Sequence, residues 1–368
     1  MRIVAAMSGG VDSSVVAGLL AEAGHEVIGV TLQLYDQGAA AGRKGACCAG
    51  SDIADARAVA DRLGIAHYVI DAEARFRAAV IDDFADSYAR GETPIPCVRC
   101  NQSVKFTDLL GLARDLGAEA MATGHYARRI DGPTGPELHR ARDPARDQSY
   151  FLFATTRDQL SFSRFPLGDM PDKASVRAEA DRMGLLVADK PDSQDICFVP
   201  TGRYTDIVQK LRPEALAAGE FVGLDGSVLG SHAGLARYTV GQSKGLGPAS
   251  DRGGVRQAVL DLDPATRRIT IGPRNSGRTR LILREMNWLA DEPDEFRCQV
   301  KLRAREAPHD ATIRCADGRV EVELDAASLA APGQGCVMYR GDRLLGGGFI
   351  RREMNASAPR PRASVGAN

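Results

Sequence analysis

The chain opens on an apolar run, Ile3-Val4-Ala5-Ala6, that predicts a buried strand, and Ser14 to Glu22 then carries the apolar content of a helix. Further on, Ile53, Ala56, Val59, Ala60 and Leu63 line one helical face, with Ser51 and Asp52 as candidate caps and Gly64 as the stop. His67 to Ile70 predicts a strand, and Glu73 to Arg90 a long helix closed by Gly91. Phe106 to Leu116 predicts another helix closed by Gly117, and Glu119 to Thr123 a strand with Gly124-His125 at its C-terminal end. This alternation predicts an α/β class, a doubly wound parallel sheet with helices on both faces. Such sheets bind ligands at the C-terminal ends of their strands. Lys173 to Met183 predicts a helix opened by Asp172. Gly219 to Ile271 is Gly-rich, with short strand-like runs and turns at Asp225-Gly226 and Asp263-Pro264. From Arg280 onward, alternating strands and tight turns such as Asp317-Gly318 predict a small β-barrel or sandwich.

Domain boundaries follow from these changes of pattern. Residues 1–203 are expected to form the α/β domain, 204–275 a small central α+β domain and 276–354 a C-terminal β-barrel. Residues 355–368 contain Ala-Pro-Arg-Pro-Arg and no apolar period, which predicts a disordered tail. Gln37 to Gly50, rich in Gly and Ala, predicts a mobile loop.

Composition narrows the class. The 368 residues suit two or three domains, and 44% apolar with 26% charged residues is ordinary for a soluble globular chain. No apolar run is long enough to span a bilayer and no leader pattern precedes the first strand, so the expected location is the cytoplasm, away from membranes. The net charge of −1 leaves nucleic acid as a partner only if basic residues are segregated on one face. The eight cysteines are scattered and do not suggest a structural disulfide framework. Cys47, Cys48, Cys298, Cys315 and Cys336 are expected to be structural or incidental, Trp288 to be core or an aromatic contact between domains, and His67 and His139 to be unassigned.

The chemistry begins at Met7-Ser8-Gly9-Gly10-Val11-Asp12-Ser13-Ser14, between the first strand and the first helix. Glycines let the backbone approach a ligand closely, and the first N–H groups of a helix point at an anion that the helix dipole favours. The serines add hydroxyl donors. Asp12 fits a phosphate site if a cation accompanies the anion, which suggests a nucleoside triphosphate with Mg²⁺. The stretch lacks the Lys of a Walker A loop. It resembles the pyrophosphatase loop of ATP-dependent adenylating enzymes, which implies that ATP is split to AMP and pyrophosphate; a capped turn is the plain structural alternative.

Cys97-Val98-Arg99-Cys100 follows Thr93-Pro94-Ile95-Pro96. A C-x-x-C pair signals a redox couple, half a metal site or neither. Pro94 and Pro96 predict an extended approach that places the pair in a loop. Cys197 lies in Asp192-Ser193-Gln194-Asp195-Ile196-Cys197-Phe198; taken alone, it reads as a small buried hydrophobe. Arg146-Asp147-Gln148-Ser149-Tyr150-Phe151-Leu152 mixes charge, amide and aromatic groups, and suits either an unpaired base or an amphipathic helix start. Cys298 to Arg305 alternates as a strand, with Val300, Leu302 and Ala304 inward and Lys301, Arg303 and Arg305 as a basic ridge able to neutralise phosphates.

Taken in order, these motifs are joined by Ala122-Thr123-Gly124-His125-Tyr126, Tyr238-Thr239-Val240-Gly241-Gln242, Gly245-Leu246-Gly247 and Leu345-Gly346-Gly347-Gly348. The set closely resembles the tRNA-specific 2-thiouridylases of the MnmA type, over nearly the whole chain except the tail. The resemblance implies an ATP pyrophosphatase (HUP-like) catalytic domain and replacement of O2 of the wobble uridine by sulfur in tRNAs for Lys, Glu and Gln. It implies adenylation of that oxygen by ATP and a sulfur delivered by a persulfide-relay donor protein. Carried onto this chain, Cys197 would bear the persulfide and Cys100 would be its partner nucleophile. Ala6, Met7, Ser8, Gly9, Gly10, Val11, Asp12 and Ser13, with Leu32 and Gly124, would hold ATP. His125, Arg146, Asp147, Gln148, Arg303, Ala304 and Gln334 would contact the anticodon arm of tRNA.

Two positions depart from the family pattern. Cys97 stands where many relatives have Asp, which adds a third thiol; Cys97, Cys100 and Cys197 then form a candidate ligand set for a 4Fe–4S cluster that binds sulfide at its open iron. Ser243 stands where relatives often have Arg, beside Lys244. The sulfur route therefore has two versions, a Cys197 persulfide resolved by Cys100 or a three-cysteine cluster. Other readings are a different adenylating synthetase of the same loop class, which would not need the cysteines, and a non-catalytic RNA-binding redox or Fe–S protein, which would not need the loop.

Overall fold

A computed structural model describes residues 1–35, 49–192, 196–199, 203–247, 251–252 and 254–352. The tail 355–368 and most of the Gln37–Gly50 loop, with Cys47 and Cys48, lie outside the described residues, as do Ser193, Gln194 and Asp195. The last two residues of that loop begin a helix.

The first sheet is built from β1 (Arg2–Ala6), β2 (Glu26–Gln33), β3 (Ala66–Asp71) and β4 (Ala120–Ala122). A hairpin follows, β5 (Ala127–Gly132) and β6 (Gly135–Arg140), and then the short β7 (Ser163–Arg164). The sheet order is β3-β2-β1-β4-β7, and every pairing is parallel. Its helices are α1 (Val11–Glu22) and α2 (Ala49–Leu63), then a run made of α3 (Glu73–Phe76), a π-helical stretch Arg77–Ile81 and α4 (Asp82–Ala89). Next come α5 (Pro96–Arg99), a second π-helical stretch Cys100–Leu109, and α6 (Leu110–Asp115), followed by α7 (Arg157–Phe162) and α8 (Lys173–Arg182). The apolar interior of β1 and the buried face of α1 explain the arrangement: Ile3, Ala5, Val15, Val16 and Ala17 share one core with Val59 and Ala60 of α2. Asp172 caps α8 by accepting from Ser175 N at 2.7 Å.

The central part begins with α9 (Tyr204–Leu211) and has a five-stranded sheet of β8 (Gly219–Val222), β9 (Val228–His232), β10 (Asp251–Arg252), β11 (Val255–Asp263) and β12 (Arg268–Pro273). The C-terminal part has six strands: β13 (Arg278–Trp288), β14 (Glu295–Lys301), β15 (His309–Ala316), β16 (Arg319–Ser328), β17 (Gly335–Arg340) and β18 (Arg343–Ile350). They run β13-β16-β15-β14-β17-β18, and the pairing of β13 with β18 closes the barrel. The β5–β6 hairpin leaves the first sheet and adds itself to the outside of β18, with Leu344 opposite Leu138 and Arg343 opposite His139.

Several local expectations change. α1 starts at Val11, three residues before Ser14, because Gly10 already adopts the extended backbone of an N-cap. α2 starts at Ala49, so Ser51 and Asp52 lie inside its first turns. Cys97 and Cys100 are helical, and not in a loop: Pro96 occupies the first turn of α5, where a missing N–H costs nothing and the fixed φ suits the helix. The expected strand over 298–305 ends at Lys301. Beyond it the chain turns, with Leu302 N donating to Glu306 Oε1 at 2.7 Å and Lys301 Nζ to Ala304 O at 2.6 Å. No single basic ridge therefore forms, because Arg303 turns inward and donates to the Val240 and Leu329 carbonyls. His67 and His139 acquire partners that spacing does not reveal, Thr31 Oγ1 and Glu137 Oε2, each at 2.8 Å.

Candidate active site

The phosphate-type loop is a turn from β1 into α1 at the C-terminal edge of the parallel sheet. Gly9 has φ of 75°, and a Cβ there would lie 2.1 Å from the Asp52 carbonyl oxygen. Only glycine fits both the left-handed backbone and the close pass over α2. No side chain caps α1, so its first N–H groups remain available for an anion. Ser8 N donates to Ser13 Oγ at 3.1 Å, and Ser13 Oγ to Gly10 O at 3.1 Å, which sets the shape of the turn. Ser14 is fully buried and donates to Gly10 O at 2.9 Å, so its hydroxyl serves the helix and not a ligand. Gly124 crosses the loop closely, since a Cβ on it would lie 3.0 Å from Ser13 N.

Asp12 carries the loop's charge and is partnered on both oxygens. Lys173 Nζ lies 2.7 and 2.8 Å from them, and Tyr126 OH donates at 2.6 Å. Burial and the adjoining Asp12 carboxylate raise the Tyr126 phenol well above its ordinary value, so it remains a donor. Lys173, nearly buried, also meets Asp192 at 2.9 Å. Asp192 is held further by Arg146 at 2.6 Å and Arg177 at 3.4 Å. Burial alone would raise the Asp192 carboxyl; Lys173 and Arg146 outweigh it and lower it. On the other side of the loop, Lys190 Nζ donates to Gly9 O at 3.0 Å and to Asp52 at 2.6 Å and Asp55 at 2.5 Å. The segment that leads to Cys197 is thus tied to the loop at two points, Lys190 and Asp192.

The cysteines come from two further elements. Cys100 is buried at the start of the second π-helical stretch, in a cluster with Phe76, Val80 and Val104 against which Phe198 packs. Phe198 also meets Phe84 edge-on, with ring centroids 5.3 Å apart, which anchors Cys197 on the same side. Burial raises the Cys100 thiol; Lys105 opposes the shift and Cys97 adds to it. Cys197 is exposed at its surface, yet the groups packed about its sulfur, with Cys100 and Cys97 adding, push its thiol up to about 12 while Lys105 works against them. Lys105 Nζ is held by Asn101 Oδ1 at 3.2 Å, and the buried Asn101 in turn donates to Phe151 O at 3.0 Å. Among the described residues, no three His, Cys, Asp or Glu side chains are grouped to hold a metal ion. As arranged, Cys97, Cys100 and Cys197 do not fit a cluster ligand set.

The remaining expected residues are placed as follows. Leu32 lines a cleft of about 280 Å³ at the ends of β2 and β3, with Ile70, Ala72, Leu109 and Leu112. His125 bonds Thr123 Oγ1 at 2.8 Å between the Phe106 and Phe165 rings, and burial lowers its imidazole well below the ordinary range, leaving it neutral. Arg146 remains partly exposed beside Asp192. Asp147 accepts from Ala141 N and Ser149 N, each at 3.1 Å, and Gln148 Oε1 from Tyr126 N at 3.0 Å. Gln334 donates to Thr93 O at 3.0 Å, and Ala304 packs against the core shared with the barrel.

Family models match three consecutive stretches: a tRNA methyl transferase HUP domain over residues 1–201, a tRNA methyl transferase PRC-barrel domain over 205–273 and an aminomethyltransferase beta-barrel domain over 278–350. The chain is 70% identical over 351 residues to the tRNA-specific 2-thiouridylase MnmA of Acidiphilium cryptum, covering 95% of this chain and 100% of that one. The chain belongs to the MnmA family. MnmA of Gluconobacter oxydans is 63% identical, covering 95% of this chain and 99% of that one, and MnmA of Rhodospirillum centenum 59%, covering 95% and 92%. The N-terminal part is accordingly an ATP-utilising HUP domain.

Two residues that hold the loop of this MnmA chain, Lys173 and Lys190, escape motif reading. Lys173 opens a helix, where the dipole disfavours a cation; a lysine so placed signals a carboxylate partner, here Asp12 and Asp192. Lys190 stands before a proline with no local pattern, and only the fold brings it to Gly9.

Proposed function

We propose that the chain is an ATP-dependent tRNA-uridine 2-sulfurtransferase that converts the wobble uridine of tRNAs for Lys, Glu and Gln to 2-thiouridine. The observation that carries the reading is convergence: Lys173 and Lys190 hold the phosphate-type loop against the segment of Cys197, and the cluster around Phe198 brings Cys100 to the same place.

In this reading, residues 6–13 with Gly124 hold the triphosphate, and the cleft at Leu32 receives the base. Asp12 would reach the Mg²⁺ that accompanies ATP by giving up its bonds to Lys173 or Tyr126, and the ion would neutralise phosphate charge. Uridine O2 attacks the α-phosphorus of ATP and pyrophosphate leaves. A donor protein supplies sulfane sulfur as a persulfide on Cys197. The terminal sulfur attacks C2 of the activated uridine and expels AMP, leaving sulfur bridged between Cys197 and the base. The Cys100 thiolate then attacks the Cys197 sulfur. The bridging S–S bond breaks, its electron pair stays on the base as 2-thiouridine, and a Cys100–Cys197 disulfide remains for a dithiol to reduce. Arg146, His125, Asp147, Gln148, Arg303, Ala304 and Gln334 are the residues that the family resemblance implies for tRNA contact. Of these, Arg146 offers the exposed charge, while the bonds of Asp147, Gln148, Arg303 and Gln334 within the protein suit them to shaping the surface. The two-cysteine route is preferred over the Fe–S cluster because Phe198 packs against the apolar cluster that holds Cys100, while no three metal-ligating side chains are grouped among the described residues.

The test is anaerobic: metal-free protein, unmodified tRNA, Mg-ATP and a persulfide donor, with 2-thiouridine read by nucleoside mass spectrometry. Parent protein yields 2-thiouridine, and Cys197→Ser and Cys100→Ser do not. Product that requires a reconstituted cluster, or that persists in Cys197→Ser, would overturn the two-cysteine route. Absence of product under both regimes would overturn the substrate assignment.

A further inference from the structure

Arg99 stands between the two cysteines of α5 and its continuation, and it does not face solvent. Its guanidinium makes a bidentate contact with Glu285 of the barrel strand β13, Nη1 to Oε2 at 2.6 Å and Nη2 to Oε1 at 3.1 Å. It lies 4.2 Å above the Phe349 ring of β18 and 3.4 Å from Asp83 of α4. A planar fork that pairs with a carboxylate on one edge and stacks on a ring has one allowed orientation. The partner is also unusual. Among the described residues, three non-glycines have positive φ: Arg267, Glu285 and Asp317. Arg267 and Asp317 sit in turns between strands; Glu285, at φ 53°, sits within β13, where the pairing with β18 is irregular between Arg284 and Asn287. A left-handed glutamate inside a strand is costly and persists only where its surroundings hold it. Here Arg284 holds Glu285 from the strand side and Glu92 holds Arg284 at 2.9 Å.

We infer that Glu285 and Arg99 form a positioning clamp by which the barrel sets the orientation of the helix that presents Cys100. The inference rests on the sulfurtransferase reading for its consequence, but its geometry stands apart from it. The barrel is fixed to the catalytic domain by other means: Asn287 Nδ2 donates to Phe153 O at 2.7 Å, and Tyr150 OH to Gly335 O at 3.1 Å. Removing the clamp therefore frees the short helix without releasing the barrel. The clamp acts on the step that uses Cys100 and leaves uridine adenylation alone. Neither residue touches the reacting atoms; both are positioning residues.

The experiment uses the full chain with Glu285→Ala, Arg99→Ala and the double variant. In a single turnover with enzyme in excess over tRNA, tRNA-dependent AMP and pyrophosphate formation should stay within about twofold of parent. The rate of 2-thiouridine formation should fall about tenfold to a hundredfold, as expected when a reacting group is displaced by a fraction of an ångström to an ångström. The double variant should be no worse than the more damaged single variant, since both remove one contact. Equal losses in adenylation and thiolation, additive losses in the double variant, or parent-like thiolation in Glu285→Ala would overturn the clamp. A second readout needs no turnover: N-ethylmaleimide should label Cys100 several-fold faster in each variant by peptide mass spectrometry, with Cys315 in the barrel as the unchanged reference. If the parent forms no 2-thiouridine, the functional reading fails, while the Cys100 labelling rate still decides the clamp; unchanged labelling would sink it.

Discussion

Lys105 bears on three groups at once. Its charge works against the burial that raises the Cys100 and Cys197 thiols, and it adds to the burial that keeps His125 neutral. An ammonium beside a thiol favours the thiolate, so replacing Lys105 with Gln should raise both thiols further. The pH profile of iodoacetamide alkylation at Cys197 should then shift to higher pH, and alkylation at pH 8 should slow; a profile identical to parent would remove Lys105 as the controlling cation. The opposite sign applies to Asp192. Its carboxyl is lowered in the folded chain because Lys173 and Arg146 outweigh its burial. The stability it contributes is therefore fully present above the unfolded carboxylate range near ~4 and is lost as pH falls through the lower folded value. Asp192→Asn should lower the melting temperature at pH 7, and the gap to parent should close on acidification below that range. A gap that stays constant down to acid would mean the network contributes packing and not charge.

At the scale of elements, Gly9 joins three of them: it ends the turn after β1, precedes α1 and passes under the α2 backbone. Gly9→Ala meets both a left-handed φ and an oxygen at 2.1 Å, so it should cost on the order of 2 kcal/mol in urea unfolding and abolish ATP binding by calorimetry. Retained binding at parent affinity would show that the loop is not the triphosphate site. The strand, turn and helix around Gly9 were legible from the sequence because each obeys its local pattern: apolar run, glycines, apolar helix. The parallel class of the first sheet and the all-β character of the C-terminal part were legible for the same reason; β2, the β5–β6 hairpin and β7 were not. Nor was α5. Pro94 and Pro96 suggest extension, but Pro96 opens the helix, and the helix is held by Arg99 and Glu285, which lie far apart in the chain. The turn after Lys301 escaped too, since the alternation of residues 298–305 suits a strand and only the Glu306 and Val240 contacts bend it. The shared rule is that local physics decides elements whose side chains face one core, while elements at a domain seam answer to partners remote in sequence.

The seam is also where the molecule becomes one unit. A single apolar core takes Val4 and Met121 from the first sheet, Phe106 from the second π-helical stretch, Leu152 and Phe153 from the connecting segment, and Val337, Tyr339, Leu344 and Phe349 from the barrel. The β5–β6 hairpin extends the barrel's sheet from the catalytic side. Ser149 and Tyr339 join hydroxyls across the same seam at 3.0 Å. Neither part can unfold without exposing the apolar face of the other, so the two should unfold together. The single tryptophan, Trp288, lies in β13 and reports on the barrel, whereas helical circular dichroism reports on the catalytic part. Their urea transitions should coincide. Phe153 is fully buried and meets Phe349 edge-on at 5.2 Å. Phe153→Ala should cost about 3–5 kcal/mol and move both transitions by the same amount. If fluorescence and dichroism instead separate, with only one of them shifted, the barrel folds independently of the thiol-bearing helix, and the seam would be an interface between domains and not a shared core.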